Sequence, residues 1–326
     1  MSWLFIGDPH LTDSPADEYR WRMFDNMRDI VKHNAISRIV IAGDLCDRKD
    51  RHSGVLVNRI IEELSSFFEP IDVLCGNHDR ALDTIPYFTF LSMLKNVRFI
   101  TQPTPDKSAL FLPWSPNPLE EWADLTLSQY KVIFIHQTIT GVVEGGYRAE
   151  NNKMPILPRG VKVYGGDIHT QQTVGTVVYV GAPHPIKYGD DYKCRALLLN
   201  ETTFAIEKEI SLETIQKVML DIRSIDDLKH CKVKEGDQAH IRVSLTSEQL
   251  SQWGEFEAEI TKWARTIGVR VNAVEASLDY RHSGSAPEEI ETFLPKDVLV
   301  AFAEEEGITG KLLDVGLTLL EEIKAE

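Results

Sequence analysis

The chain has 326 residues, 43% of them hydrophobic, which is enough to bury a large core and, by length, to build two or more domains. No apolar stretch approaches the roughly 18 residues of a membrane helix, and the start from Met1 to Ile6 meets Asp8 before a signal-peptide core could form, so a cytoplasmic place without a membrane partner is expected. A net charge of -15 argues against a protein that grips nucleic acid alone, because such binding rests on Lys and Arg displacing counterions; nucleic acid stays open as a substrate if metal ions or a basic partner offset the charge.

In chain order, Leu4-Phe5-Ile6 reads as a buried strand that stops at Gly7-Asp8-Pro9-His10, and Ala16 to Ala35 as an amphipathic helix with Met23, Phe24, Met27, Ile30 and Val31 on one face. The strand Ile39-Val40-Ile41 then runs into Gly43-Asp44-Leu45-Cys46-Asp47, a helix is expected from Ser53 to about Phe67, and Asp72 to Cys75 leads into Gly76-Asn77-His78-Asp79. Such β-α-β-α-β alternation favours a mostly parallel sheet with helical crossovers. A short helix near Phe88 to Lys95 and strands at Val97 to Ile100 and Ala109 to Leu112 follow, with prolines marking surface chain around them. Val132 to Ile135 stops at His136, a long polar loop covers Thr138 to Arg159, and Val161 to Tyr164 stops at Gly165-Gly166-Asp167-Ile168-His169. A loop of that length beside a site reads as a lid or a substrate wall.

Strands at Thr176 to Val180, Arg195 to Leu199 and Thr203 to Ile210 close the first domain, expected over residues 1–210. Residues 211–278 read as a small α+β unit with strands from Ala239 to Leu245 and Val269 to Glu275 around a helix from Ser247 to Ile267, in which Trp253 and Trp263 fit the core. Residues 279–326 read as a polar linker and helices; the last presents Leu313, Leu317 and Leu320 on a wide apolar face suited to a partner's groove. The four cysteines sit singly and are expected to be reduced, Cys46 and Cys75 as small apolar residues.

Five apolar strands thus end in polar clusters, and parallel α/β sheets bind ligands at those ends. Asp8, His10, Asp44, Asn77, His136, Asp167 and His169 offer carboxylate, imidazole and amide donors and no thiolate, a set suited to Mn²⁺, Fe or Zn. Seven donors exceed the need of one ion, and two ions sharing a carboxylate are the recurring device for phosphoester cleavage.

Asp8-x-His10, Gly43-Asp44-x-x-Asp47, Gly76-Asn77-His78-Asp79, His136 and Gly166-Asp167-x-His169 resemble, in order and spacing, the motif series of the calcineurin-like metallophosphoesterases. With Tyr179-Val180-Gly181-Ala182-Pro183 and the two-part C-terminal region, the chain is similar to the SbcD-type nuclease subunits of DNA double-strand-break processing complexes, including compact bacteriophage versions. The resemblance implies an α/β fold, a two-sheet α-β-β-α sandwich with a small α+β capping domain and C-terminal helices. It implies two Mn²⁺ per chain, Mg²⁺ or another divalent ion being possible, one held by Asp8, His10, Asp44 and His169 and the other by Asn77, His136 and Asp167, with Asp44 shared. His78 would touch the phosphate or protonate the leaving 3′ oxygen, oriented by Asp47 or Asp79. It further implies 3′ to 5′ exonuclease and single-strand endonuclease action on DNA in repair and recombination, a homodimer, and a coiled-coil ABC ATPase partner of the SbcC type. Arg48, Lys49, Arg51 and Arg80 would contact DNA phosphates at the rim, whereas His184 lines a loop and His52 sits in a solvated one.

The series departs from the family pattern at one position, where Asp167 stands for a histidine; a carboxylate there can still hold Mn²⁺. Two other functions fit parts of the sequence: a small-molecule phosphodiesterase or phosphatase of the same superfamily, and a catalytically decayed clamp.

Overall fold

The computed structural model describes residues 1–278 apart from 50, 83–84, 151–153, 190–191 and 251. β1 (Ser2–Ile6) turns Leu4 and Ile6 to one side and Phe5 to the other, and β2 (Ile36–Ile41) does the same with Ile39 and Ile41 against Val40. Alternation in which both faces are apolar is what a strand covered on both sides requires. On the Leu4 side lie α1 (Arg22–His33), with Met23, Phe24, Met27 and Ile30 buried, and α2 (Gly54–Ser65), with Leu56, Ile60 and Leu64 buried. Ser53 begins α2 by accepting the Leu56 N–H at 3.1 Å. β3 (Ile71–Leu74) and β4 (Val97–Ile100) extend the parallel sheet outward from β2.

A second sheet packs on the Phe5 side. It comprises β5 (Thr104–Asp106), β6 (Ala109–Leu112), β7 (Val132–His136), β8 (Lys162–Gly166), β9 (Gln172–Val174) and β10 (Val177–Tyr179), in the order β9-β10-β8-β7-β6-β5. The inner four strands are parallel. β11 (Arg195–Asn200) and β12 (Ile206–Ser211) return antiparallel to the first sheet, giving β12-β11-β1-β2-β3-β4. Between the sheets Phe134 meets Phe111 at 5.2 Å and Phe5 at 5.4 Å between ring centroids, and Tyr164 at 5.9 Å. Each such buried ring stabilises the sandwich by roughly 1.5–3 kcal/mol.

The layers are those of the expected two-sheet α/β sandwich, with one difference in thickness. Among the described residues, the outer face of the second sheet is covered by Trp122, Leu127, Val142 and Ala149 from short helical turns and loop, not by long helices. The expected helix from Ala16 is also divided. Pro15–Trp21 is a 3-10 turn capped by Ser14, kinked at Asp17 and burying Tyr19, Arg20 and Trp21, and the α-helix starts only at Arg22. Phe88 to Lys95 is likewise reduced to a 3-10 turn, Thr89–Met93.

The α+β unit holds β13 (Lys217–Ile222), β14 (Gln238–Leu245), α3 (Trp253–Ile267) and β15 (Arg270–Leu278), in the sheet order β13-β14-β15. β13 is a strand that the sequence reading passed over, and the helix expected from Ser247 is broken into Ser247–Leu250 and α3. Trp253 and Trp263 pack against this unit's own core. Gln238 donates to the Ala16 carbonyl at 2.7 Å and accepts from Tyr188 at 3.1 Å, and Lys217 donates to the Ile186 carbonyl at 3.1 Å. These bonds join it to the sandwich, and Met1–Leu245 with Gln249–Ser277 form one unit. The linker from Asp279 and the helix with Leu313, Leu317 and Leu320 lie outside the described residues. Among the described residues no helix is long and apolar enough to cross a membrane. All four cysteines are unpaired.

Candidate metal centre

Register carries the five polar clusters to one edge. Ile6 pairs with Ile41 and Ile41 with Val73 in the first sheet, so Asp8, Asp44 and Asn77 follow aligned strand ends; in the second, His136 pairs with Gly166, one residue before Asp167. Past the strand ends the loops stay together, with His10 donating its N–H to the Asp44 carbonyl and Leu11 to that of Leu45, both at 2.9 Å. Five non-glycine residues have positive φ among those described: His10 at 44°, Asp44 at 48°, Asp167 at 79°, Lys107 and Phe204. Three of the five are expected metal donors, and strain of this kind, ~1–3 kcal/mol each, persists where surrounding structure enforces it for function. Close approach accounts for two glycines. A Cβ on Gly43, at φ 119°, would fall 2.2 Å from His136 Nδ1, and one on Gly76 would fall 2.1 Å from an Asp44 oxygen.

The donors gather around Asp44. His136 Nε2 lies 3.3 Å from one Asp44 oxygen and 3.7 Å from Asp167, while His10 Nε2 lies 3.5 Å from the other Asp44 oxygen and 3.0 Å from His169 Nε2. Two groups, Asp44 with His136 and Asp167, and Asp44 with His10 and His78, each hold their ligand atoms within 4.8 Å of one another. Asn77 reaches His136 Nε2 at 3.3 Å, and with its amide turned over it donates to both Asp44 oxygens at 3.1 Å. Asp8 is fully buried, and its oxygens accept the Asp167 N–H at 3.0 and 3.1 Å and lie 3.3 Å from His136 Nδ1.

The rings are held in the tautomer a ligand needs. His136 Nδ1 donates to the Ala42 carbonyl at 2.7 Å, so Nε2 is the end of the ring that faces the Asp44 and Asp167 carboxylates and the Asn77 amide. A ring nitrogen facing two carboxylates calls for a proton or a cation between them, and this donor chemistry fits divalent ions. The protonation balance has the same origin. Burial would raise the Asp44 carboxyl, yet the imidazoles of His136, His10 and His78 outweigh it and hold Asp44 below the usual carboxylate range. Burial would lower His136, yet Asp44 and Asp8 raise it well above an ordinary imidazole. His10 is pushed well down by burial, and Asp167 is pushed up by it.

His78 is oriented by the main chain. Its Nδ1 donates to the Asp47 carbonyl at 2.5 Å, leaving Nε2 as the free end of the ring. The side chains of Asp47 and Asp79, expected to orient it, are engaged elsewhere: Asp47 lies 3.3 Å from Arg20, and Asp79 accepts the Leu45 and Gly76 N–H groups at 2.8 Å each. Asp79 therefore ties two site loops together, and burial with the neighbouring Asp44 charge pushes its carboxyl up to about 7. His184 binds the Pro9 carbonyl at 2.7 Å and lines its loop as expected. Two expectations are corrected. Arg80 is not at the rim but buried, donating to the Thr101 and Trp114 carbonyls, and His52 is packed on Tyr87 and Phe88 at 4.3 and 4.9 Å between centroids. Arg48, Lys49 and Arg51 are exposed, and Arg48 and Arg51 border a cleft of about 630 Å³ beside Asp47.

Three residues that the motif spacing did not indicate also reach the site. Arg20 donates to the His10 carbonyl, Thr138 to Asp167, and Glu144 accepts the His169 N–H at 2.8 Å. Glu144 carried a signal in retrospect: Gly145-Gly146 is a two-residue hairpin turn, and Val143–Glu144 pairs with Tyr147–Arg148.

No curated protein matches the chain. Among solved structures it is similar to Yfce, described as a phosphoesterase from E. coli, at 14% identity and a TM-score of 0.35, over 65% of this chain and 100% of that one. The family model described as calcineurin-like phosphoesterase matches residues 1–201. That span takes in more than half of the chain and every strand end at this edge, and the chain belongs to the calcineurin-like phosphoesterase family.

Proposed function

We propose that the protein is a DNA nuclease, the phosphodiester-cleaving subunit of an SbcCD-like ATPase-nuclease complex acting on DNA ends in the cytoplasm. The observation that carries the reading is the joint placement of the donor cluster and His78, whose Nε2 is the free end of a ring fixed at Nδ1. Asp44 would be the carboxylate common to two Mn²⁺ ions, with His10, His169 and Asp8 holding the first and His136, Asn77 and Asp167 the second. When bound, the pair supplies Lewis-acid stabilisation of charge developing on the phosphoryl oxygens.

The chain's own residues do the rest. As water adds to phosphorus, its proton passing to solvent, and the bond to the 3′ oxygen breaks, His78 carrying a proton on each ring nitrogen passes the Nε2 proton to that leaving oxygen, while the Asp47 carbonyl accepts from Nδ1 and keeps the ring in place. Asp79 and Arg20 hold the loops that carry these groups. Arg48, Lys49 and Arg51, exposed just after Asp47 in the chain, would contact the phosphates of a strand leaving the centre. The α+β unit, joined to the loop at Tyr188 and to Ala16, supports a long substrate over a small one, since a small substrate needs no added domain. The segment with Leu313, Leu317 and Leu320 serves the coiled-coil ATPase, and the active form is a homodimer.

The test compares Mn²⁺-dependent rates on end-labelled duplex DNA, on single-stranded circles and on a cyclic nucleotide. Processive loss of label from duplex ends together with cutting of circles is the expected result. Efficient turnover of the cyclic nucleotide with inert DNA would overturn the nuclease reading in favour of a small-molecule phosphodiesterase, and inertness toward all three would leave the decayed clamp.

A further inference from the structure

The chain does not leave the centre after His136. Thr138 Oγ1 donates to one oxygen of Asp167, and six residues later Glu144 Oε1 accepts the His169 N–H at 2.8 Å and lies 3.5 Å from His169 Nδ1. Asp167 stands with Asp44 and His136, whereas His169 meets His10, so one short segment touches both sides of the donor set.

The segment is itself firmly held. Tyr179 Oη donates to the Gln137 carbonyl at 2.7 Å and accepts the Ile139 N–H at 3.1 Å, just before and after Thr138. Val142 and Ala149 are buried in the outer core, and the Gln172 side chain bonds both the N–H and the carbonyl of Val143, at 3.0 and 2.8 Å. Glu144 is thus aimed by a hairpin fixed at its base.

We infer that Thr138 and Glu144 are positioning residues for the metal donors, an inference that rests on reading Asp167 and His169 as such. With one Asp167 oxygen bound to the Thr138 hydroxyl, the other is left toward His136 Nε2, 3.7 Å away. The hydroxyl also draws charge from the carboxylate, which suits an Asp to the position where the family pattern has a neutral imidazole. Glu144 fixes the His169 backbone and stands behind its Nδ1, so that Nε2 points inward. Groups standing behind metal ligands in this way are typically worth about 10–100-fold in metal affinity.

Calorimetric titration of the full-length chain with Mn²⁺, alongside circular dichroism and thermal unfolding, tests the inference without any activity readout. The parent chain is expected to take two ions. Thr138→Val, which keeps the shape and removes the donor, should weaken one ion by roughly 10–100-fold while Thr138→Ser restores it. Glu144→Ala should weaken the other ion, and Glu144→Gln, which keeps an oxygen for the His169 N–H, should retain more of it. Two unweakened ions in both Thr138→Val and Glu144→Ala would overturn the inference, as would a serine variant no better than valine. If the valine variant does not fold, the serine variant and the Glu144 pair decide. A parent chain that takes no Mn²⁺ would overturn the reading of the centre itself, a failure distinct from that of the support.

Discussion

Two clusters of buried charge sit in the same pair of sheets and are built in opposite ways. In one, Asp72 lies 3.2 Å from Arg38 and 2.8 Å from Arg98, and Asp106 from the facing sheet lies 2.6 and 3.2 Å from the same two guanidiniums. Two cations meet two anions, and the guanidiniums also lie over Trp3 and Phe111. In the other, Asp8, Asp44, Asp79 and Asp167 crowd together with His10, His136 and His169, and the cation that reaches them, Arg20, is turned to the His10 carbonyl, Asp17 and Asp47. The first cluster is complete and joins the sheets. The second is short of positive charge by construction, and a buried excess of acceptors is what a site for divalent cations looks like before its ligand is considered.

The largest expected effect tests the unbalanced cluster. Asp44→Ala removes the carboxylate common to both donor groups, and phosphodiester hydrolysis should fall by ~10³-fold with loss of at least one ion in a Mn²⁺ titration. His78→Ala comes next. It should cost ~10²-fold on DNA, with both ions retained, and much less on a substrate whose leaving group needs no proton, such as a p-nitrophenyl phosphodiester. An equal loss on both substrates would show that His78 acts on something other than the leaving oxygen.

The contrast is sharpest in thermal unfolding with a chelator present. Asp72→Asn leaves two guanidiniums facing Asp106 alone and should cost about 2 kcal/mol, less than a fully buried pair because Arg98 is partly exposed. Asp167→Asn should do the reverse and raise the melting temperature, because burial disfavours that carboxylate and an amide can still accept from Thr138. A fall in both variants would mean that the site carboxylates stabilise the fold as ordinary polar groups.

How much of this could be read from the residues follows from the physics of each part. Strand-length apolar runs ending in Asp, His or Asn are local signals, so five strand ends and the donors upon them were visible without coordinates. The support behind the donors was not, because Thr138 and Glu144 reach Asp167 and His169 by a hairpin whose direction depends on tertiary packing at Tyr179 and Gln172. Charge type misled at Arg80: a basic residue next to a motif reads as a rim contact, yet here the side chain is buried and donates to two carbonyls. β13 was passed over because four of its six residues are a mixed run from Lys217 to Leu220 that is only half-buried, and parallel pairing with β14 supplies what local pattern lacks.

The smallest effect concerns the surface beside the centre. Arg48, Lys49 and Arg51 are exposed, and Arg48 and Arg51 share their cleft with Asp13, Asp17 and Asp47, so any attraction for a phosphate there is partly offset by neighbouring carboxylates. For duplex DNA each phosphate neutralised releases close to one counterion, so replacing one of these residues by Ala should reduce the salt-dependence slope of DNA binding by about 1, and replacing all three by up to about 3. Hydrolysis of a small phosphodiester, which has no second phosphate to reach them, should not change. A full slope change for Lys49 with none for Arg48 or Arg51 would place the strand outside the cleft, across the exposed face of the loop. A change for the two arginines alone would run it through the cleft, past the carboxylates that now oppose it, and would require those carboxylates to be neutralised or turned away when DNA is bound.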